Sequence, residues 1–204
     1  ASRASNARAP RNGASANSTS APNSIGTTWR MRRGALSSSS APTGASRAPA
    51  SWNQTYDQCK NLYVDSIYVD SKSYWNNDGI DIVDCDGVVI KNSYFDAADD
   101  VICFKSHDGT KMCQNVVVDN CVGRSSANGL KFGTVSRGGF KNFRVTNLTI
   151  FDTFRSAITF AAVDGGEIEN IVVDGVRSIN TGNVIYLRIG DRWSQGKKPY
   201  LKDI

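Results

Sequence analysis

One phrase returns five times in this chain at an almost constant interval: KNLYVDSIYVD, DGVVIKNSYFD, QNVVVDNCVG, KNFRVTNLTIFD and ENIVVDGVRSI. Its second residues, Asn61, Gly87, Asn115, Asn142 and Asn170, lie 26, 28, 27 and 28 residues apart. A second run follows each phrase, as GIDIVDC, DVICFKS, GLKFGTV, AITFAAV and VIYLRIG; aligning Ile80, Val101, Leu130, Ile158 and Val184 gives steps of 21, 29, 28 and 26. Short β-branched segments, Asn or Gly at the corners and no amphipathic helical pattern predict an all-β chain. The architecture expected is a parallel β-helix of about five to six coils, each repeat being one coil.

Stacked coils sit about 4.8 Å apart, as neighbouring strands do in any sheet, so equivalent residues become columns. Ile80, Val101, Leu130 and Ile158 form one expected interior column, and Ile82, Cys103, Phe132 and Phe160 another. Leu62, Val88, Val116, Phe143 and Ile171 form a third.

The repeat begins near Trp52, which makes residues 51–204 the expected β-helix domain, a partial one, with no visible end cap in DRWSQGKKPYLKDI. Residues 1–50 differ in kind. They hold seven arginines, four of the five prolines, and no Lys, Asp or Glu. So little apolar surface cannot offset the entropy of ordering, and the stretch reads as a low-complexity, disordered tail. Out-of-frame translation of GC-rich coding DNA is the other reading, which the upstream nucleotides would decide.

The formal charge of +5 misleads, because residues 51–204 carry 17 positive and 19 negative groups. A slightly acidic domain with a basic tail is not expected to bind nucleic acid. No run of 18 apolar residues is present, so no membrane-spanning helix is expected, and no signal-peptide pattern is visible.

Cys59, Cys85 and Cys113 fall in one column, a linear row unsuited to tetrahedral zinc, and read as buried free thiols; Cys103 and Cys121 complete an odd total. No metal site is expected. The lone histidine, His107, reads as a surface-turn residue close enough to the aspartates to meet a ligand.

Aspartates supply the chemistry. With Ile80 set against Val101, Asp78 aligns with Asp99 and then with Asn128 and Ser156, while Asp100 aligns with Gly79. Strand alternation would turn these acids into the core, so a bend at Gly79 or Asp100 must redirect them. Single aspartates at corners are turn caps, as Asp65, Asp70, Asp119 and Asp174 are read. A stacked trio is different, because like charges raise one another's pKa unless they hold a cation or share a proton. Such clusters either bind Ca²⁺ or hydrolyse glycosides; in the second case one carboxyl is the general acid, and a gap of about 6.5–9.5 Å leaves room for the water of an inverting reaction.

NNDGID at 76–81 resembles the Asn-Thr-Asp-Gly-x-Asp motif of glycoside hydrolase family 28, the polygalacturonase and rhamnogalacturonan hydrolase family. ADDVICFKS at 98–106 resembles its Gly-Asp-Asp-x-Ile-x-x-Lys-Ser. The resemblance runs from about Trp52 to Asp191. It implies a right-handed, pectin-lyase-like β-helix without cofactor or metal, secreted or periplasmic, acting as a monomer on a pectic polysaccharide or oligosaccharide. Residue by residue, it implies Asp99 as general acid, Asp78 and Asp100 as the carboxylates that activate water, and Lys105 as the lysine after the Asp pair. Asn128 stands where the family's Gly-His-Gly has histidine, and Thr159 and Ala161 stand where its Arg-x-Lys has cations. Asn128, Lys105 and Lys131 are the expected substrate-binding residues. Arg155 could also contact a carboxylate, and Tyr74 and Trp75 could stack on a sugar or cap the coil. A polysaccharide lyase on this fold, needing Ca²⁺ and a Lys or Arg base, and a non-catalytic glycan-binding β-helix are the alternatives.

Overall fold

The computed structural model describes residues 52–204 in full and, before them, only the backbone of three short strands. The reading of residues 1–50 as a tail otherwise lies outside the described residues. Three parallel sheets run the length of the solenoid. The first stacks β1 (Thr27–Arg30), β4 (Gln54–Asp57), β7 (Ile80–Val83), β10 (Ile102–Ser106), β12 (Asn128–Ser136) and the final parts of β13 (Phe140–Ala162) and β15 (Arg177–Ile189). In the second lie β2 (Ser39–Ser40), β5 (Lys60–Asp65), β8 (Asp86–Lys91), the start of β11 (Cys113–Ser125), the start of β13, β14 (Ile168–Asp174) and β16 (Leu201–Lys202). The third holds β3 (Ala45–Arg47), β6 (Tyr68–Ser71), β9 (Tyr94–Ala97), the end of β11, the middle of β13 and the start of β15. Each coil visits the sheets in turn, giving a parallel β-solenoid of about five turns with no helix among the described residues.

The expected corner residues have a common cause. Asn61, Gly87, Asn115, Asn142 and Asn170 all have positive φ, between 54° and 76°. Asn tolerates this left-handed conformation better than other residues with a Cβ. The same residues then use their amides along the solenoid: Asn142 Nδ2 donates to Asn115 Oδ1 at 3.0 Å, and Asn170 Nδ2 to Asn142 Oδ1 at 2.7 Å. Asn142→Ala should therefore cost about 1–2 kcal/mol in left-handed backbone strain, beyond the lost ladder bonds. Asn142→Gly should recover the backbone part, and denaturant midpoints of the two variants check this. Equal losses would remove the conformational argument.

The second-sheet interior column is as expected, with Leu62, Val88, Val116, Phe143 and Ile171 paired in register. The first-sheet columns are one residue out at two coils. Ile80 pairs with Ile102, and Ile82 with Phe104, so Val101 and Cys103 do not stack on them. Likewise Ile158 pairs with Ile185 instead of Val184. VICF is apolar throughout, and hydrophobicity alone cannot choose a register within it. Packing decides: Val101 turns into the corner over Gly123, where a Cβ would lie 2.3 Å from Val101 Cγ1. The slip inverts the side-chain phase, as a one-residue shift in any strand must. Phe104 takes the interior place, while Cys103 faces outward in a column with Asp81, Lys131 and Thr159.

Phe104, Phe132 and Phe160 make an aromatic ladder, with Phe132 centroids 5.2 Å and 4.8 Å from its two neighbours; Phe143 closes on Phe132 at 4.8 Å. Leu187 continues that column yet is 57 % exposed, since no further strand covers it among the described residues.

Candidate active site

The register correction carries straight into the acids. Asp78 stacks on Asp100, not on Asp99: Gly79 N donates to Asp100 O at 2.8 Å, and Val101 N to Asn128 O at 2.9 Å. Asn128 pairs with Ser156 as expected. Asp99 lies one residue earlier, at the turn between the third sheet and the first, where its N–H donates to Asn77 O at 3.0 Å. The expected bend is present. It needs Gly79, whose Cβ would meet Val101 O at 2.4 Å, and it brings the Asp78 carboxylate to the same lysine that binds outward-facing Asp81.

Two lysines, Lys105 buried and Lys131 partly buried, hold the acids. Lys105 Nζ is 3.1 Å from Asp78 Oδ2 and 2.7 Å from Asp81 Oδ1, donates to Cys103 Sγ at 2.9 Å, and lies 4.9 Å from the Trp52 ring centre. Lys131 Nζ donates to Asp100 Oδ2 at 2.7 Å. Asp100 Oδ1 accepts from Asn128 Nδ2 at 2.7 Å and from its backbone N–H at 3.3 Å, and Thr159 Oγ1 donates to Asn128 Oδ1 at 2.9 Å. Asp99 is more open. With its amide turned to satisfy both neighbours, Asn76 donates to Asp99 Oδ2 at 3.2 Å and accepts from Trp52 Nε1 at 3.3 Å.

Four carboxylates face two ammonium groups, so the cluster must take up protons or remain net negative. Burial, and then the Asp81 charge, pushes the Asp78 pKa well above the usual carboxylate range; burial also raises Asp81. At Asp99 burial, followed by the charges of Asp100 and Asp78, raises the pKa to about 6. Asp99, less buried than Asp78 and Asp100, thus holds its proton to a higher pH than an ordinary carboxyl does. Asp78, Asp100 and Cys103 also bring one ligand atom each within 4.8 Å of one another. That volume is already bordered by two ammonium groups, which repel a divalent cation.

All six expected site residues, Asp78, Asp99, Asp100, Lys105, Asn128 and Lys131, meet here. Sequence reasoning missed Asp81, although it is the final residue of NNDGID, and missed Cys103, Trp52 and the hydrogen-bonding part of Thr159. The motif could have found Asp81; for the other three, pairing between coils is the signal. His107 is half-buried, 6.5 Å from Trp52. Trp75 is 92 % exposed on the turn beside Asn76, next to exposed Tyr74, and Arg155 is exposed within β13. Cys59, Cys85 and Cys113 are buried and free, as are Cys103 and Cys121.

Comparison with known proteins agrees with the geometry. The family model for glycosyl hydrolases family 28 matches residues 52–162, more than half of the chain. The crystal structure of a hyperthermoactive exopolygalacturonase from Thermotoga maritima is similar, with a TM-score of 0.66 and 25 % identity over 78 % of this chain. The match covers 37 % of that enzyme, so this chain spans little more than a third of its length. No curated protein sequence matches.

Proposed function

The chain belongs to glycosyl hydrolases family 28, and from that premise we propose that it serves as an inverting hydrolase of a pectin-type glycosidic linkage. One observation carries the reading: Asp99, less buried than its neighbours, lies at the same corner as Asp78 and Asp100, and burial with their charges raises its pKa. Asp99 gives its proton to the leaving oxygen as the C–O bond breaks and that oxygen keeps the bonding pair. Water attacks the anomeric carbon from the opposite face, and one of its two protons passes to one carboxylate of the Asp78 and Asp100 pair. Beneath the sugar Lys105 holds Asp78 and Asp81, while Asn128 and Lys131 hold Asp100. The reaction needs neither metal nor cofactor, and the protein acts as a monomer outside the cytoplasm, where pectic polymers are met. Among the described residues no helix is long and apolar enough to cross a membrane.

The test is reducing-sugar release from a panel of pectic oligosaccharides, with the product anomer read by proton NMR. Inverted product and turnover unchanged by chelator are expected. A retained anomer, or an unsaturated product that needs Ca²⁺, would assign a different reaction.

A further inference from the structure

We infer that Lys131 is a positioning residue, which with Asn128 leaves Asp100 a single open acceptor site and so makes Asp100 the carboxylate that takes the proton of the attacking water. The inference rests on the hydrolase reading and divides the work that reading gives jointly to Asp78 and Asp100.

An ionised carboxylate has about four acceptor sites. On Asp100 three are filled: the Asn128 side chain and backbone N–H both donate to Oδ1, and Lys131 donates to Oδ2. Asn128 cannot turn away, because Thr159 holds its carbonyl oxygen. Asp100 and the Lys131 side chain are 2 % and 14 % exposed, so the ion pair is little screened. Where the family resemblance expects histidine and arginine, this chain thus has Asn128 and Thr159, two neutral residues in series behind one acid. Lys131 supplies the charge that neither can carry.

Asp78 is arranged otherwise. It shares Lys105 with Asp81, and its Oδ1 is buried without a hydrogen-bond partner. One proton held between Asp78 and Asp81 balances the two carboxyls against the one lysine, and the buried Oδ1 is closed to solvent, which leaves Asp78 a poor acceptor for a further proton. The attacking water is held by the remaining site of Asp100 Oδ2. In the reaction its oxygen bonds to the anomeric carbon and one proton goes to Asp100. The bonding pair leaves on the glycosidic oxygen, which is protonated by Asp99. Solvent then returns Asp99 and Asp100 to their starting states.

The experiment compares the full chain with Lys131→Met, Lys131→Arg, Asp100→Asn and the Lys131→Met/Asp100→Asn double variant, after circular dichroism confirms that each is folded. Loss of alignment at the water should lower kcat of Lys131→Met about 10²-fold with KM unchanged. Arginine, which keeps the charge and the donor, should restore most of it. Because Lys131 acts through Asp100, the double variant should be no slower than Asp100→Asn alone. A raised KM with normal kcat would make Lys131 a substrate contact, and additive losses would detach it from Asp100; either result overturns the inference and leaves the hydrolase reading intact. A wild-type chain without turnover on the pectic panel overturns both.

Discussion

Asp99→Asn should lower kcat by about 10²–10⁴-fold, the range over which a positioned general acid contributes, while KM changes little. The amide keeps the size of the carboxyl and can still face Asn76, but it has no acidic proton for the leaving oxygen. A substrate with an activated aryl leaving group should lose far less, because its oxygen departs without protonation. The pH profile supplies the sign. In the proposed mechanism Asp99 works in its protonated form, and its pKa is raised to about 6, so wild-type turnover should fall as pH rises through about 6. In Asp99→Asn that alkaline limb should vanish along with most of the rate. Full activity of the variant on natural oligosaccharides would remove Asp99 from the acid role.

The largest stability effect should come from the interior ladder. Phe132 is fully buried and touches Phe104, Phe140, Phe143 and Phe160, so Phe132→Ala leaves a cavity bounded by four rings that cannot all collapse into it. A loss of about 3–5 kcal/mol is expected. This is a large share of the roughly 5–15 kcal/mol that holds a typical domain folded. Phe154 is the control: it has the same side chain but is 79 % exposed, and its replacement by Ala should stay within about 0.5 kcal/mol. Urea titration followed by fluorescence measures both. Similar midpoints for the two variants would contradict the packing account.

Much of this was legible in the repeat. The interval between Asn61, Gly87, Asn115, Asn142 and Asn170 is the length of one coil, and their residue types announce the left-handed corner that all five adopt. The second-sheet column was readable because each phrase alternates clearly between buried and exposed positions. DVICF has no such alternation, and there the alignment slipped by one. The slip exchanged Asp99 and Asp100 in the carboxylate stack, yet the same six site residues still met, because adjacent aspartates on one turn reach the same space from either register.

What the sequence determined by itself was the solenoid, its coil length and the gathering of acids at the corner before the first sheet, since all three follow from spacing and residue type along the chain. Which acid lies on the floor and which at the rim was decided only by the tertiary structure. That choice depends on hydrogen bonds between coils at Gly79 and Val101 and on two lysines from different turns. The energies that separate the acids come from burial and from charges a few ångströms away across coils, and neither quantity exists in an unfolded chain.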